Sequence, residues 1–112
     1  SLLHKPVLII IWSPYCKGSL NQLSQMKDFW NKHNNSIEIV SIVPHNQDRE
    51  HLASLIRKKQ IGFPVLFANK EIQDQYKVNG YPSYFLIDNS GTVQAVSNLL
   101  NFKDKVNELK ER

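Results

Sequence analysis

The chain is 112 residues long, with 41% apolar and 21% charged residues and a formal net charge of +4. That length suits one domain with one continuous core, and the balance excludes collagen-like, disordered and disulfide-scaffolded chains. No apolar run approaches the ~20 residues of a membrane-spanning helix. No charged-then-apolar leader with a small-residue cleavage site opens the chain, so any signal or anchor is expected to have been removed or never to have existed.

Val7 to Trp12 is a continuous apolar run, the pattern of a strand buried on both faces of a parallel sheet. Ser13-Pro14 then reads as a helix start, with serine as the cap and proline in the first turn, where its missing N–H costs nothing. The helix that follows sets Cys16, Leu20, Leu23, Met26 or Lys27, and Trp30 along one stripe, and Asn34-Asn35-Ser36 ends it. Ile37 to Val43 is a β-branched second strand closed by Pro44. Asp48 is placed to cap a second helix with Leu52, Leu55 and Ile56 on its inner face. The basic cluster Arg57-Lys58-Lys59 ends that helix and complements its dipole, so no nucleic-acid partner is expected.

Ile61-Gly62-Phe63-Pro64 breaks the pattern before a short third strand, Val65 to Phe67. Lys70 to Tyr76 reads as a brief helix, followed by Gly80-Tyr81-Pro82 and a strand from Ser83 to Ile87. Asn89-Ser90-Gly91 is the turn of a hairpin that continues into Thr92 to Val96. Phe102, Val106 and Leu109 mark a last amphipathic helix. The order β-α-β-α-β-α-β-β-α predicts an α/β fold in one domain over residues 1–112. Its mixed sheet has parallel early strands with right-handed crossovers and an antiparallel C-terminal hairpin, sandwiched between helices.

Chemistry concentrates at Trp12-Ser13-Pro14-Tyr15-Cys16. A thiol at the start of a helix that follows a strand meets free N–H groups and the positive end of the dipole, the setting in which thiols become reactive. Open α/β sheets place their sites at the carboxyl ends of strands, and the strand from Ser83 begins at that same edge, so Gly80-Tyr81-Pro82 is expected beside the turn. Cys16 shares the stripe of Leu20 and Leu23, so its sulfur is expected to point further inward than the Ser13 oxygen. It is the sole cysteine, so it forms no internal disulfide and must carry any covalent redox chemistry.

From Lys5 to Leu109 the sequence resembles the thioredoxin superfamily, and most of all its TlpA/ResA-type branch of bacterial extracytoplasmic thiol–disulfide oxidoreductases. The resemblance rests on Lys5-Pro6-Val7, on Trp12-Ser13-Pro14-Tyr15-Cys16 in the WCxxC position, on Phe63-Pro64-Val65-Leu66, and on Gly80-Tyr81-Pro82-Ser83-Tyr84-Phe85-Leu86-Ile87-Asp88. It implies a thioredoxin fold, a cis Pro82 facing the turn, and a Tyr81 backbone that receives a substrate chain. Cys16 and Ser13 are the implied catalytic positions, with Ser13 in the place of the nucleophilic cysteine. Trp12, Pro14, Tyr15, Tyr81 and Pro82 are the implied substrate-binding residues. Trp12 would pack beside the active-site sulfur, Tyr15 would tune potential or substrate fit, and Tyr81, bulkier than usual, would narrow the groove.

The implied partners are a protein or peptide disulfide or thiol, such as apocytochrome c or another exported protein, and a membrane or periplasmic redox partner. The implied location is extracytoplasmic, in the periplasm or anchored to a membrane. Neither a cofactor nor a metal is expected, and a monomer is.

The sequence departs from the family pattern in two ways. The first cysteine of the family attacks a substrate disulfide and the second resolves the mixed disulfide; a serine hydroxyl at position 13 cannot run this cycle. The glutamate three residues past the second cysteine is replaced by Ser19, a proline soon after it by Asn21, and the buried aspartate of thioredoxins by Val7, which removes the carboxylates that move protons near the thiols. Ser13 has three readings: an engineered replacement of cysteine, a natural monothiol protein, or a domain turned into a redox-inactive binding or chaperone-like module. His45, after Pro44, stands at the same sheet edge and is more simply a solvated loop residue than a base. His4, His33 and His51 lack ligand spacing. Trp30, Tyr84 and Phe85 are assigned to the core.

Overall fold

A computed structural model describes residues 5–44, 48–69, 71, 80–96 and 98–99. The elements are β1 (Val7–Ile11), α1 (Lys17–His33), β2 (Glu38–Val43), α2 (Arg49–Lys58), β3 (Val65–Phe67), β4 (Ser83–Ile87) and β5 (Val93–Val96). They form a thioredoxin-like α/β fold, a mixed sheet flanked by helices, with strand order β3-β2-β1-β4-β5. β1 runs parallel to β2, and β2 to β3, while β4 is antiparallel to both β1 and β5. The helices predicted from Lys70 to Tyr76 and around Phe102 to Leu109 lie outside the described residues.

Side chains of β1 alternate between two cores, as the pleat requires. Leu8 and Ile10 enter the main cluster with Ile39, Val43, Tyr84, Leu86 and the inner residues of α1; Ile9 and Ile11 enter a smaller one with Ile42 and Ala68 on the opposite face. Both described helices pack on the main face. This follows from β1, β2 and β3 being laid side by side in one direction, since right-handed crossovers then put α1 and α2 on the same side. The inner stripe of α1 is Ser19, Leu23, Met26 and Phe29. Leu20 is 38% exposed, so the stripe lies one residue away from the expected one.

Local chemistry sets the ends of α2. The Asp48 carboxylate accepts the N–H groups of Glu50 at 2.9 Å and His51 at 3.2 Å, the expected cap. At the other end Ile61 N–H reaches Ile56 O and Gln60 N–H reaches Arg57 O, a Schellman closure with Gln60 at φ 53 where glycine is usual. The Arg49 guanidinium lies 4.1 Å from the centre of the Phe67 ring and ties the start of α2 to β3. In the β4–β5 turn, Asp88 accepts from the backbone of Ser90 and Thr92, and Gly91 supplies a φ of 88.

Tyr84 crosses from the sheet to α1, where its hydroxyl donates to Gln22 Oε1 at 2.7 Å. Burial pushes its pKa well above the ordinary tyrosine range. A pKa raised on folding supports stability fully below the unfolded value of about 10 and loses that support as pH rises toward the folded value. Urea midpoints should therefore fall above about pH 10, and Tyr84→Phe should flatten part of that fall while costing about 1 kcal/mol at neutral pH from the unpaired Gln22. Asp48→Ala should cost about 1 kcal/mol in the same titration, with faster amide exchange confined to the first turn of α2.

Candidate functional site

The site grows from the end of β1. Ile11 pairs with Ser83 in the antiparallel ladder, so the chain leaving β1 and the chain entering β4 emerge at one edge of the sheet. Trp12 N–H still reaches Ile42 O at 3.1 Å, which carries strand geometry one residue further. Beyond it the chain turns. Cys16 N–H donates to Ser13 O at 3.1 Å, and Ser13 Oγ accepts the Tyr15 N–H at 3.2 Å.

This turn corrects the predicted helix start. Serine at the first position and proline at the second are also the preferred occupants of a four-residue β-turn, and that arrangement is the one adopted. The helix begins at Lys17, and its N-cap is Cys16, with extended φ −94 and ψ 124 and no side-chain cap. Ser13 N–H is drawn elsewhere: it donates to the Ser19 hydroxyl at 3.1 Å, in a buried contact that ties the turn back to the inner face of α1.

Burial at the turn also departs from expectation. Ser13 is only 6% exposed, whereas Cys16, expected to be the more shielded, is half-buried. The reason is that Cys16 precedes the helix and does not share its inner stripe. Trp12 and Pro14, expected to bind substrate, are both buried. Trp12 belongs to the main core, and its indole N–H has no partner among the described residues. The groups that present surface at this edge are Tyr15, at 58% exposure, with Cys16, Tyr81 and Pro82 half-buried behind it.

The second half of the site is the loop before β4. The Tyr81–Pro82 bond is cis, and Ser83 Oγ donates to Gly80 O at 2.6 Å. The Tyr81 side chain packs against the smaller cluster of Ile9, Ile11, Ile42 and Ala68, which anchors the loop. Its carbonyl turns to the helix: Cys16 Sγ lies 3.7 Å from Tyr81 O, with the thiol as donor. The two segments thus meet through a side chain of one and the backbone of the other.

Three further residues at this edge escape a reading of local patterns. His51 stacks on Tyr15 with ring centroids 4.7 Å apart and planes 13° apart, bridging α2 to the turn. Ser19, noted above only as a replaced glutamate, holds the Ser13 N–H. Gly18 lies in the first turn of α1 under the Tyr81 carbonyl; a glycine inside a helix, costly in propensity, was the one signal available for it. His45 lies outside the described residues. Among those residues no helix is long and apolar enough to cross a membrane.

Comparison with known proteins agrees with this fold. A family model described as thioredoxin-like matches residues 4–93. The thioredoxin-like protein YneN of Bacillus subtilis is 21% identical over 94 residues, covering 82% of this chain and 55% of YneN, so the chain spans about half of that relative. A thiol:disulfide interchange protein of the thioredoxin family from Chlorobium tepidum superposes with a TM-score of 0.79 at 18% identity, over 94% of this chain and 79% of the other. A secreted disulfide oxidoreductase of Mycobacterium tuberculosis, homologous to DsbE of E. coli, superposes with a TM-score of 0.72 at 23% identity, over 84% and 69% of the two chains. With its fold and its family match in agreement, the chain belongs to the thioredoxin-like family.

Proposed function

We propose that this domain derives from extracytoplasmic thiol–disulfide oxidoreductases that act on the disulfides of exported proteins, and that Ser13 arrests its dithiol cycle. The carrying observation is the meeting of the turn and the Tyr81–Pro82 loop at Cys16 Sγ and Tyr81 O, 3.7 Å apart. It leaves a thiol and a substrate-facing backbone segment on one surface, with Tyr15 exposed beside them. The location draws support from the secreted Mycobacterium tuberculosis relative. Its partners are a protein or peptide disulfide or thiol and a membrane or periplasmic redox protein, with no cofactor and the domain acting as a monomer.

In this cycle a thiolate at position 13 attacks one sulfur of a substrate disulfide and releases the other as a thiolate. The Cys16 thiol, once deprotonated, then attacks the position-13 sulfur and releases the reduced substrate, leaving a 13–16 disulfide. Serine supplies neither the nucleophile nor the second sulfur. The backbone remains suited to both. A turn closed from residue 16 to residue 13 keeps their Cα atoms within about 7 Å, inside the span that a disulfide bridges.

A second reading, a redox-inactive module that binds a peptide at the same surface, is favoured by the state of Ser13. It is 6% exposed, its N–H is held by Ser19 and its hydroxyl by Tyr15, so the serine is built into the turn. The Ser13→Cys variant separates the two. On the oxidoreductase reading it forms a 13–16 disulfide under mild oxidation and accelerates the reduction of insulin by dithiothreitol, while the parent protein does neither. A variant that folds yet forms no disulfide and leaves insulin untouched would overturn that reading and leave the binding module.

A further inference from the structure

We infer that Gly18 is a positioning residue whose missing side chain seats the Tyr81 carbonyl on the Cys16 thiol and so keeps that thiol guarded. The inference deepens the reading above, since it rests on the turn and the Tyr81–Pro82 loop forming one site. Glycine is the costliest residue after proline in a helix, so its presence in the first turn of α1 calls for a reason. Backbone conformation is not that reason, because among the described glycines only Gly91 has a positive φ. Space is. A Cβ at position 18 would stand 2.8 Å from Tyr81 O, closer than any such contact tolerates, and 3.8 Å from Cys16 Sγ.

The obstructing atom is a backbone oxygen, which no rotamer change can move aside. Its loop is also pinned from both sides. The Tyr81 side chain is packed against Ile9, Ile11, Ile42 and Ala68, and Gly80 O is held by the Ser83 hydroxyl at 2.6 Å. A methyl at position 18 must therefore push the carbonyl as a unit. The three separations place the oxygen so that moving away from the Cβ also carries it away from Sγ, which already sits at 3.7 Å. The contact to the thiol then lengthens and weakens, and the sulfur lies more open to whatever approaches the edge between Tyr15 and Pro82. In the protein as it stands, the carbonyl both occupies the S–H and covers one side of the sulfur. Gly18 thereby suppresses single-thiol chemistry at the one cysteine of the chain.

The sole cysteine makes the test direct, because every S–H signal and every alkylation event belongs to Cys16. Infrared spectra of the parent protein, with its serine at position 13, should show an S–H stretch at lower frequency when folded than in urea, as a thiol bonded to a carbonyl requires. In Gly18→Ala the folded band should return toward the urea value. The rate of alkylation by iodoacetamide should rise several-fold and up to roughly tenfold, the range of one lost hydrogen bond. Lys58→Ala, exposed at the far end of α2, should change neither. A folded parent band that coincides with the urea band overturns the inference without any variant, which covers the case of a Gly18→Ala protein that does not fold. An unchanged band and rate in folded Gly18→Ala overturn it equally. No reductase activity enters either measurement, so failure here is distinct from failure of the Ser13→Cys assay.

Discussion

Ile11 pairs with Ser83, and Val7 with Ile87, in the antiparallel ladder between β1 and β4, and the whole site inherits its geometry from that register. β1 is the central strand, held by β2 on one side and β4 on the other. A slip of one residue would send Tyr84 and Leu86 out of the main core and bring Phe85 into it. The same slip would carry Tyr81 off the end of α1. The register is held because Tyr84 and Leu86 are almost fully buried on one face while Phe85 and Ile87 pack on the other. Apolar alternation in two strands thus decides where a backbone carbonyl sits relative to a thiol that is 65 residues away in sequence.

That carbonyl is held from two sides with different physics. Below the sheet, the Tyr81 ring joins a small apolar cluster; above, the carbonyl meets the first turn of α1 at Cys16 and Gly18. The apolar contact is non-directional and fixes position only loosely, whereas the thiol contact and the close approach to glycine fix orientation. Both depend on α1 lying over the main face, which follows from the parallel order of β1, β2 and β3.

Most of the scaffold was legible in the sequence because it obeys local or periodic rules. The apolar run at Val7, the short strand at Val65 and the Asp88–Gly91 turn signal their conformations within a few residues, and Asp48 caps its helix as its chemistry dictates. The start of α1 was not legible, because Ser-Pro is an equally good opening for a helix and for a β-turn. The Ser19 hydroxyl, six residues on, takes the Ser13 N–H and ties the turn to α1. Burial of Trp12 and Pro14 depends on how the turn sits against its surroundings, which no spacing pattern encodes. The thiol–carbonyl contact likewise joins segments that only the sheet register brings together.

The buried bond between Ser13 N–H and Ser19 Oγ bears on how this domain could change over generations. Position 13 takes part through its main chain, so a cysteine placed there would leave that bond intact. Position 19 takes part through its side chain, at 0% exposure. The glutamate implied there by the family resemblance would remove this hydroxyl acceptor and bring a carboxylate into a space shaped for a hydroxyl, a costly burial unless other residues changed first. The two positions are therefore unequal. Position 13 leaves this bond indifferent to its side chain, while position 19 acts as a ratchet that resists a carboxylate whatever side chain stands in the turn.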